Sequence, residues 1–414
     1  MTIINNTLSR LNLLRGLLLL SLFGMPGILH FDITGVTHQF GLFNIQSFSR
    51  IAVYLSIGMI VFLFFIGIEK LRVNRYTFSN FRLPFLYYSL AILISVPVLK
   101  GTDFILSGYF IFEWTTFFIL FYLYVNEQNK YSLSMAIQDI ILLIWIKIIT
   151  LLIILPIFPS IGIFFDQNLG IIRLGGYFVG PNVLGTLVAL LASYYYFYYK
   201  GPNYKKYGFF LFAILILFAT NSRGALLSFI LAFSFSLIGT KKGLNHLILF
   251  YFGGIIATLM VTYIDYLMRG LDISNLITLS ERVPLWGKYA FEFPNSPIIG
   301  FGFIVGVKNL GLIIPKIHWV APHAHNDLIQ SIMSGGIIMG VLTFGIYVSL
   351  YRKCYKSPLT GNSQLLMKNW FIILIGYAML TPIINWKLFA ISGIFWILFI
   401  TLRIENNNAD LVRP

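Results

Sequence analysis

The chain has 414 residues, 58% of them hydrophobic and only 10% charged, with a net charge of +15. Soluble domains carry about 25% charged residues, so a water-soluble fold of this size would lack the polar groups to cover its outside. A bilayer removes that difficulty. The positive balance reads as the ordinary bias of cytoplasmic loops, and without basic clusters on a soluble scaffold it argues against nucleic-acid binding. A single cysteine, Cys354, leaves no disulfide framework.

From the start of the chain, Arg10 to Leu29 joins a basic flank to an apolar run with no small-x-small cleavage site, which predicts an uncleaved first span. About 20 apolar residues make one crossing. The sequence predicts twelve, near residues 13–29, 51–68, 83–99, 104–125, 135–155, 181–199, 208–220, 224–240, 246–263, 325–350, 367–384 and 388–402. An open sheet would leave its backbone unsatisfied in lipid, and the unbroken apolar runs lack the alternation of a barrel. The expectation is an all-α polytopic membrane protein, one integral membrane domain over 1–414, with no internal repeat. Of the 29 lysines and arginines, 18 fall in alternate loops, among them Lys200, Lys205, Lys206, Arg352, Lys353 and Lys356. That excess marks the cytoplasmic side. It places Cys354 in a cytoplasmic loop and both termini inside, which requires an even number of spans. Two outer loops are long, 157–180 and 264–322, the second carrying short helices; loops of this length are often functional.

Four motifs follow in chain order. Arg173-Leu174-Gly175-Gly176-Tyr177-Phe178 leads to Pro181-Asn182 and Gly185; Pro181 suits the first turn of a helix, and the motif reads as structural punctuation or as a site for the outer cation Arg173. Asn221-Ser222-Arg223-Gly224-Ala225 joins two apolar runs almost without a loop. Arg223 therefore sits at or just inside the outer interface, either snorkelling or serving a function. Arg282 and Trp286, four residues apart, open a short amphipathic helix, followed by Asn295-Ser296-Pro297 and then Gly300 and Gly302, whose backbone can approach closely. Last comes Pro322-His323-Ala324-His325-Asn326-Asp327-Leu328-Ile329-Gln330, with Gly335, Gly336 and Gly340 downstream. Helical spacing puts His325, Asn326 and Ile329 on one face. His325 is then either a wet residue at a helix start or a group that exchanges a proton near neutral pH. His318, His323 and His325 lie close in sequence, but no further ligand set completes a zinc pattern, and no metal is expected.

Arg173, Arg223, Arg282 and His325 all fall on the predicted outer side. Guanidinium groups hold phosphate through paired hydrogen bonds. Transfer of a sugar from a lipid-linked pyrophosphate leaves negative charge on the carrier, which fixed arginines stabilise, while a histidine takes the proton of the acceptor hydroxyl. No Asp-rich metal site or Gly-rich phosphate loop points to nucleotide-sugar chemistry. A flippase or other transporter is the rival class; transporters show repeats and broken helices in both halves, whereas here the polar candidates gather on one side.

The order of these motifs on a twelve-span frame resembles the O-antigen polymerase and O-antigen ligase superfamily of bacterial cell envelopes. The residues that carry the resemblance are Gly176, Phe178, Pro181, Asn182 and Gly185; Ser222-Arg223-Gly224-Ala225; Arg282 and Trp286; Ser296-Pro297, Gly300 and Gly302; and His325-Asn326 with Gln330 and the later glycines. The resemblance implies a GT-C-like membrane glycosyltransferase of the inner membrane. Its substrate would be an undecaprenyl-pyrophosphate-linked oligosaccharide at the periplasmic face, with no nucleotide and no cofactor. It implies that Arg223 and Arg282 engage the pyrophosphate and that His325 assists the acceptor hydroxyl. Arg173, Asn182, Trp286 and Asn326, from the same motifs, are expected to contact substrate. A chain-length regulator protein is a candidate partner. Gly336 and Gly340 are separated by three residues where ligases have two, which tilts the expectation to the polymerase that joins repeat units; a ligase transferring glycan to lipid A–core is the alternative.

Overall fold

The structure, a computed structural model, describes residues 2–23, 55, 57–59, 75–98, 102–128, 131–166, 171–238, 282–303, 313–314, 319–320, 324–356, 359, 361–379, 381–384, 388 and 390–412. Helices dominate: α1 (Thr2–Phe23), α2 (Arg75–Ser95), α3 (Thr102–Glu127), α4 (Leu133–Ile157) and the single turn α5 (Pro159–Gly162). A hairpin of β1 (Ile163–Asp166) and β2 (Ile171–Leu174) leads through the short α6 (Gly176–Val179) into α7 (Pro181–Phe197), α8 (Asn203–Ala219) and α9 (Arg223–Ile238). Then come α10 (Arg282–Glu292), the two-residue strands β3 (Ile313–Ile314) and β4 (Trp319–Val320), α11 (Asp327–Lys356), α12 (Gly361–Ala378) and α13 (Ala390–Val412). The frame is helical as expected, with two small antiparallel sheets added, both inside the loops read as long outer ones.

The expected dozen crossings are not what the chain forms. Among the described residues, three helices are long and apolar enough to span a membrane: Ser107–Glu127, Leu133–Ile157 and Asp327–Tyr355. The reason is punctuation within the apolar runs. The stretches read at 181–199 and 208–220 fold as helices of 17 residues each, short of the roughly 20 that cross about 30 Å of hydrocarbon, and the described part of the stretch at 224–240 is a helix of 16. The run at 83–99 belongs to a helix that begins at Arg75 and contains Arg82 and Pro84. The run at 388–402 continues into a polar end, Arg403 to Asp410. The stretch at 246–263 and most of 51–68 lie outside the described residues. The protein is a multi-pass membrane protein, but the even span count that put both termini on one side loses its basis. Cys354, expected in a loop, is buried in the last turns of α11.

One large apolar core runs through α1, α3, α4, α7, α9, α12 and α13. Small and polar side chains tie its helices at close range, as in lipid, where apolar contact alone gives no preference between helix and tail. Ser193 of α7 donates to the Asn369 carboxamide of α12, whose nitrogen reaches Ser236 of α9 at 3.3 Å. Trp370 Nε1 donates to the Leu190 carbonyl at 2.9 Å. A second, small core of Leu285, Tyr289, Ala324 and Met333 joins α10 to the start of α11, with Trp286, Phe301 and Ile329 around it.

Candidate functional site

The first group of candidate residues forms where the β1–β2 hairpin meets the α8–α9 turn. Arg173 pairs with Phe164 across the hairpin. The hairpin base is closed by Gly175 N–H donating to the Gly162 carbonyl at 3.0 Å. Gly176 follows at φ 43°, where a Cβ would stand 1.9 Å from the Ile161 carbonyl oxygen, so no other residue fits. Pro181 then opens α7 in its first turn, as the sequence predicts. This arrangement brings Arg173 beside Asn182 and the turn that precedes Arg223. The guanidinium donates from Nη2 to Asn182 Oδ1 at 2.8 Å and from Nε to the Thr220 carbonyl at 3.2 Å. Ser222 Oγ donates to the same Asn182 oxygen at 3.1 Å. Gly185 makes the approach possible, since a Cβ there would lie 2.9 Å from the Cβ atoms of both Ser222 and Ala225. Asn221, at φ 48°, takes the left-handed conformation that Asn tolerates in a tight turn, and half-buried Arg223 begins α9 directly after it.

The second group forms around His325. The helix begins at Asp327, so His325 and Asn326 precede it rather than share its face with Ile329. Asn326 is the cap: its Oδ1 accepts from Ile329 N–H at 3.1 Å, and its carbonyl accepts the first helical bond from Gln330 at 2.9 Å. Gln330 reaches back, its Oε1 accepting from Ala324 N–H at 2.8 Å. On the other side, Trp286 Nε1 donates to the Ala324 carbonyl at 2.8 Å. His325 itself sits at φ 53°, a conformation that costs a non-glycine residue on the order of 1–3 kcal/mol and persists only where its surroundings over-determine it. Tyr289 lies in the same small core, 1% exposed, and its hydroxyl has no hydrogen-bond partner among the described residues. Burial pushes its phenol well above the ordinary range, so it stays a protonated donor.

The loop after α10 is locked into α11. Gly335 and Gly336 break that helix, with Gly336 at φ 66° and ψ −165°. Residues 297–302 fill the break: Phe301 N–H donates to the Met333 carbonyl at 2.8 Å, Gly302 N–H to Ser334 at 3.0 Å, and Ile337 N–H to Pro297 at 2.9 Å. The backbones touch so closely that a Cβ on Gly300 would meet the Gly335 and Gly336 nitrogens at 2.6 Å, and one on Gly336 would lie 2.0 Å from the Ile298 carbonyl oxygen. The Pro-Gly-Gly loop, the glycine pair and the His325 turn are therefore one assembly, and Arg282 heads the helix that docks on it.

Of the residues expected from the sequence, Arg173, Asn182 and the Ser222-Arg223 turn come together, and Trp286, His325 and Asn326 come together. Arg282 is fixed by position at the start of α10. Helix α12 packs against both α9 and α11, linking the elements that carry the two groups. Asp327 and Gln330 stood inside the quoted motif without roles; an Asn at a helix start, with an acidic residue directly after it, is the local signal of the cap. Nothing local signals Tyr289.

Residues 208–344 match the family model described as O-antigen ligase. The matching segment is about a third of the chain and holds Arg223, Arg282, Trp286, Gly300, Gly302, His325, Asn326 and the glycines of the helix break. No curated protein matches the chain.

Proposed function

Starting from the O-antigen ligase superfamily segment at 208–344, we propose that the protein is a membrane-embedded glycosyltransferase. It moves glycan from undecaprenyl pyrophosphate to lipid A–core at the periplasmic face of the inner membrane. The observation that carries the reading is the strained His325 turn, fastened by Gln330, Asn326 and Trp286 against the helix that Arg282 begins. An imidazole carried on a costly backbone conformation that three side chains fasten is suited to one defined proton transfer. In the reaction, His325 takes the proton of the acceptor hydroxyl as that oxygen bonds the anomeric carbon. The bond from that carbon to the pyrophosphate oxygen breaks, and Arg173, Arg223 and Arg282 stabilise the charge that develops there.

The polarity of α11 supports the periplasmic assignment. Asp327 stands at the first turn of this helix, which is long enough to cross a membrane, and its far end carries Arg352, Lys353 and Lys356. Lysine and arginine mark the cytoplasmic end of a span. The glycine spacing that tilted the sequence toward a polymerase has a structural job instead. Gly335 and Gly336 make the helix break, and a Cβ on Gly340 would meet Ile332 Cγ1 at 2.5 Å. Nor does the break favour transport, because residues 297–302 fill it.

The lipopolysaccharide banding of a deletion strain tests the reading. Lipid A–core with no O-antigen attached, and polymer retained on its carrier lipid, is the expected pattern. A single attached repeat unit makes the protein a polymerase. Complementation with Arg223→Ala or His325→Ala should fail while both variants insert, and normal ladders from both would remove these residues from the reaction.

A further inference from the structure

We propose that Asp327 is a positioning residue that fixes the His325 turn by fastening the broken helix α11 to the segment at 383–384. The proposal rests on the role of His325 given above and goes beyond it.

Asp327 is 1% exposed. A carboxylate so deep in a membrane protein costs several kcal/mol unless its oxygens are occupied, and here they are. Oδ1 accepts from the backbone N–H of Ile383 at 2.9 Å and of Ile384 at 3.1 Å. Oδ2 accepts from Tyr347 Oη at 2.5 Å and from Ile384 N–H at 3.3 Å. These donors come from two separate places. Tyr347 lies beyond the Gly335–Gly336 break, so the carboxylate bridges the two halves of α11. Residues 383 and 384 lie between α12 and α13, and that segment is itself held: Tyr88 Oη donates to the Ile384 carbonyl at 2.8 Å, and Trp396 Nε1 to Tyr88 Oη at 3.3 Å.

The first half of α11, residues 327–334, is too short to be stable alone. It carries the ties that define the His325 turn, through Gln330, Ile329 and the Asn326 cap. Ser331 adds a second bridge across the break, meeting Thr343 Oγ1 at 2.8 Å, with Tyr87 of α2 at 2.9 Å from Thr343. The half-helix thus orients the imidazole, and Asp327 orients the half-helix. Loss of the carboxylate lets that unit shift, and a displacement of 1 Å at a reacting group costs about 100-fold in rate.

Two measurements on the full-length protein in lipid nanodiscs test this. The first needs no activity. Amide hydrogen exchange in peptides covering 324–334 and 381–384 should accelerate together in Asp327→Ala; unchanged exchange in both overturns the clamp. The second uses lipid-pyrophosphate-linked glycan and its acceptor. Asp327→Ala should lower kcat about 100-fold with KM for the donor unchanged. Asp327→Asn, which keeps an oxygen for the backbone donors, should recover most of the loss, and Tyr347→Phe should lose less than either. In a His325→Ala background, Asp327→Ala should add nothing. A full multiplicative loss there means that Asp327 acts apart from His325, and the proposal fails. If Asp327→Ala does not insert, Asp327→Asn and Tyr347→Phe decide the matter. Full transfer by His325→Ala with exchange accelerated in Asp327→Ala would overturn the role of His325, not the clamp.

Discussion

Two buried aspartates hold this protein together in different ways. Asp139 of α4 meets the Arg15 guanidinium of α1 at 2.6 Å and accepts from Tyr124 and Tyr131 at 3.1 Å each. Asp327 of α11 is held by two backbone N–H groups and one phenol. The partners at Asp139 are side chains, one of them an arginine on a long flexible stem that adapts to small shifts of the helices it joins. The backbone donors at Asp327 have fixed directions and admit one placement. Asp139 therefore secures the frame, α1 against α3 and α4, whereas Asp327 secures a single turn. The same buried chemistry serves stability in one place and geometry in the other.

The largest expected effect separates the two. Arg15→Ala strands a buried carboxylate, and breaking such a pair costs roughly 3–5 kcal/mol. Arg15 is 34% exposed, so water reaches the site and the lower end applies. Thermal unfolding in detergent should show that loss, while glycan transfer per folded molecule stays at the parent level. A large fall in specific activity would mean that the frame and the site are coupled, and the comparison would break.

A second test enters from the side of the site. Gly336→Ala puts a Cβ where the Ile298 carbonyl oxygen stands, at a backbone φ of 66°. Strain of this kind costs about 1–3 kcal/mol, and the 297–302 loop must move off the helix break to relieve it. Transfer should fall at least about tenfold, in keeping with a displaced site, with a smaller loss of stability than in Arg15→Ala. Gly208→Ala is the control, since nothing lies within 4 Å of a Cβ there; it should change neither quantity.

What the sequence could tell depended on how local the cause was. Pro181 at a helix start, the helix at Arg282 and the close-approach glycines of the 300–302 loop were all legible, because each is decided by a few adjacent residues. Hydropathy located the helices but not their lengths. Gly180-Pro181, Gly201-Pro202 and Asn221-Ser222 cut the apolar runs, leaving two pieces of 17 residues between them, and an averaging window passes over such cuts. The face shared by His325 and Ile329 was misplaced by two residues, although the Asn326 cap that causes the shift is a local signal. The partnerships of Arg15 with Asp139 and of Asp327 with Ile383 cross 124 and 56 positions, and no periodicity predicts them.

The smallest expected effect is the sharpest comparison, because one hydrogen bond can be removed twice. Trp286 Nε1 donates to the Ala324 carbonyl at 2.8 Å, and Trp370 Nε1 donates to the Leu190 carbonyl at 2.9 Å. Substitution by Phe keeps an aromatic ring in each core and removes one hydrogen bond to a carbonyl, at a cost of about 1 kcal/mol in either place. Melting should therefore shift by similar amounts in Trp286→Phe and Trp370→Phe. Activity should not. Ala324 precedes His325, and its carbonyl is one of the restraints that keep that residue in the left-handed region; Leu190 lies inside α7, where the helix holds its own carbonyl in place. Trp286→Phe is expected to lower kcat about 3- to 10-fold, in proportion to a partial loss of orientation, and Trp370→Phe to leave it unchanged. Equal falls in both variants would mean that transfer follows global stability, and the separation of frame from turn drawn from the two aspartates would not hold.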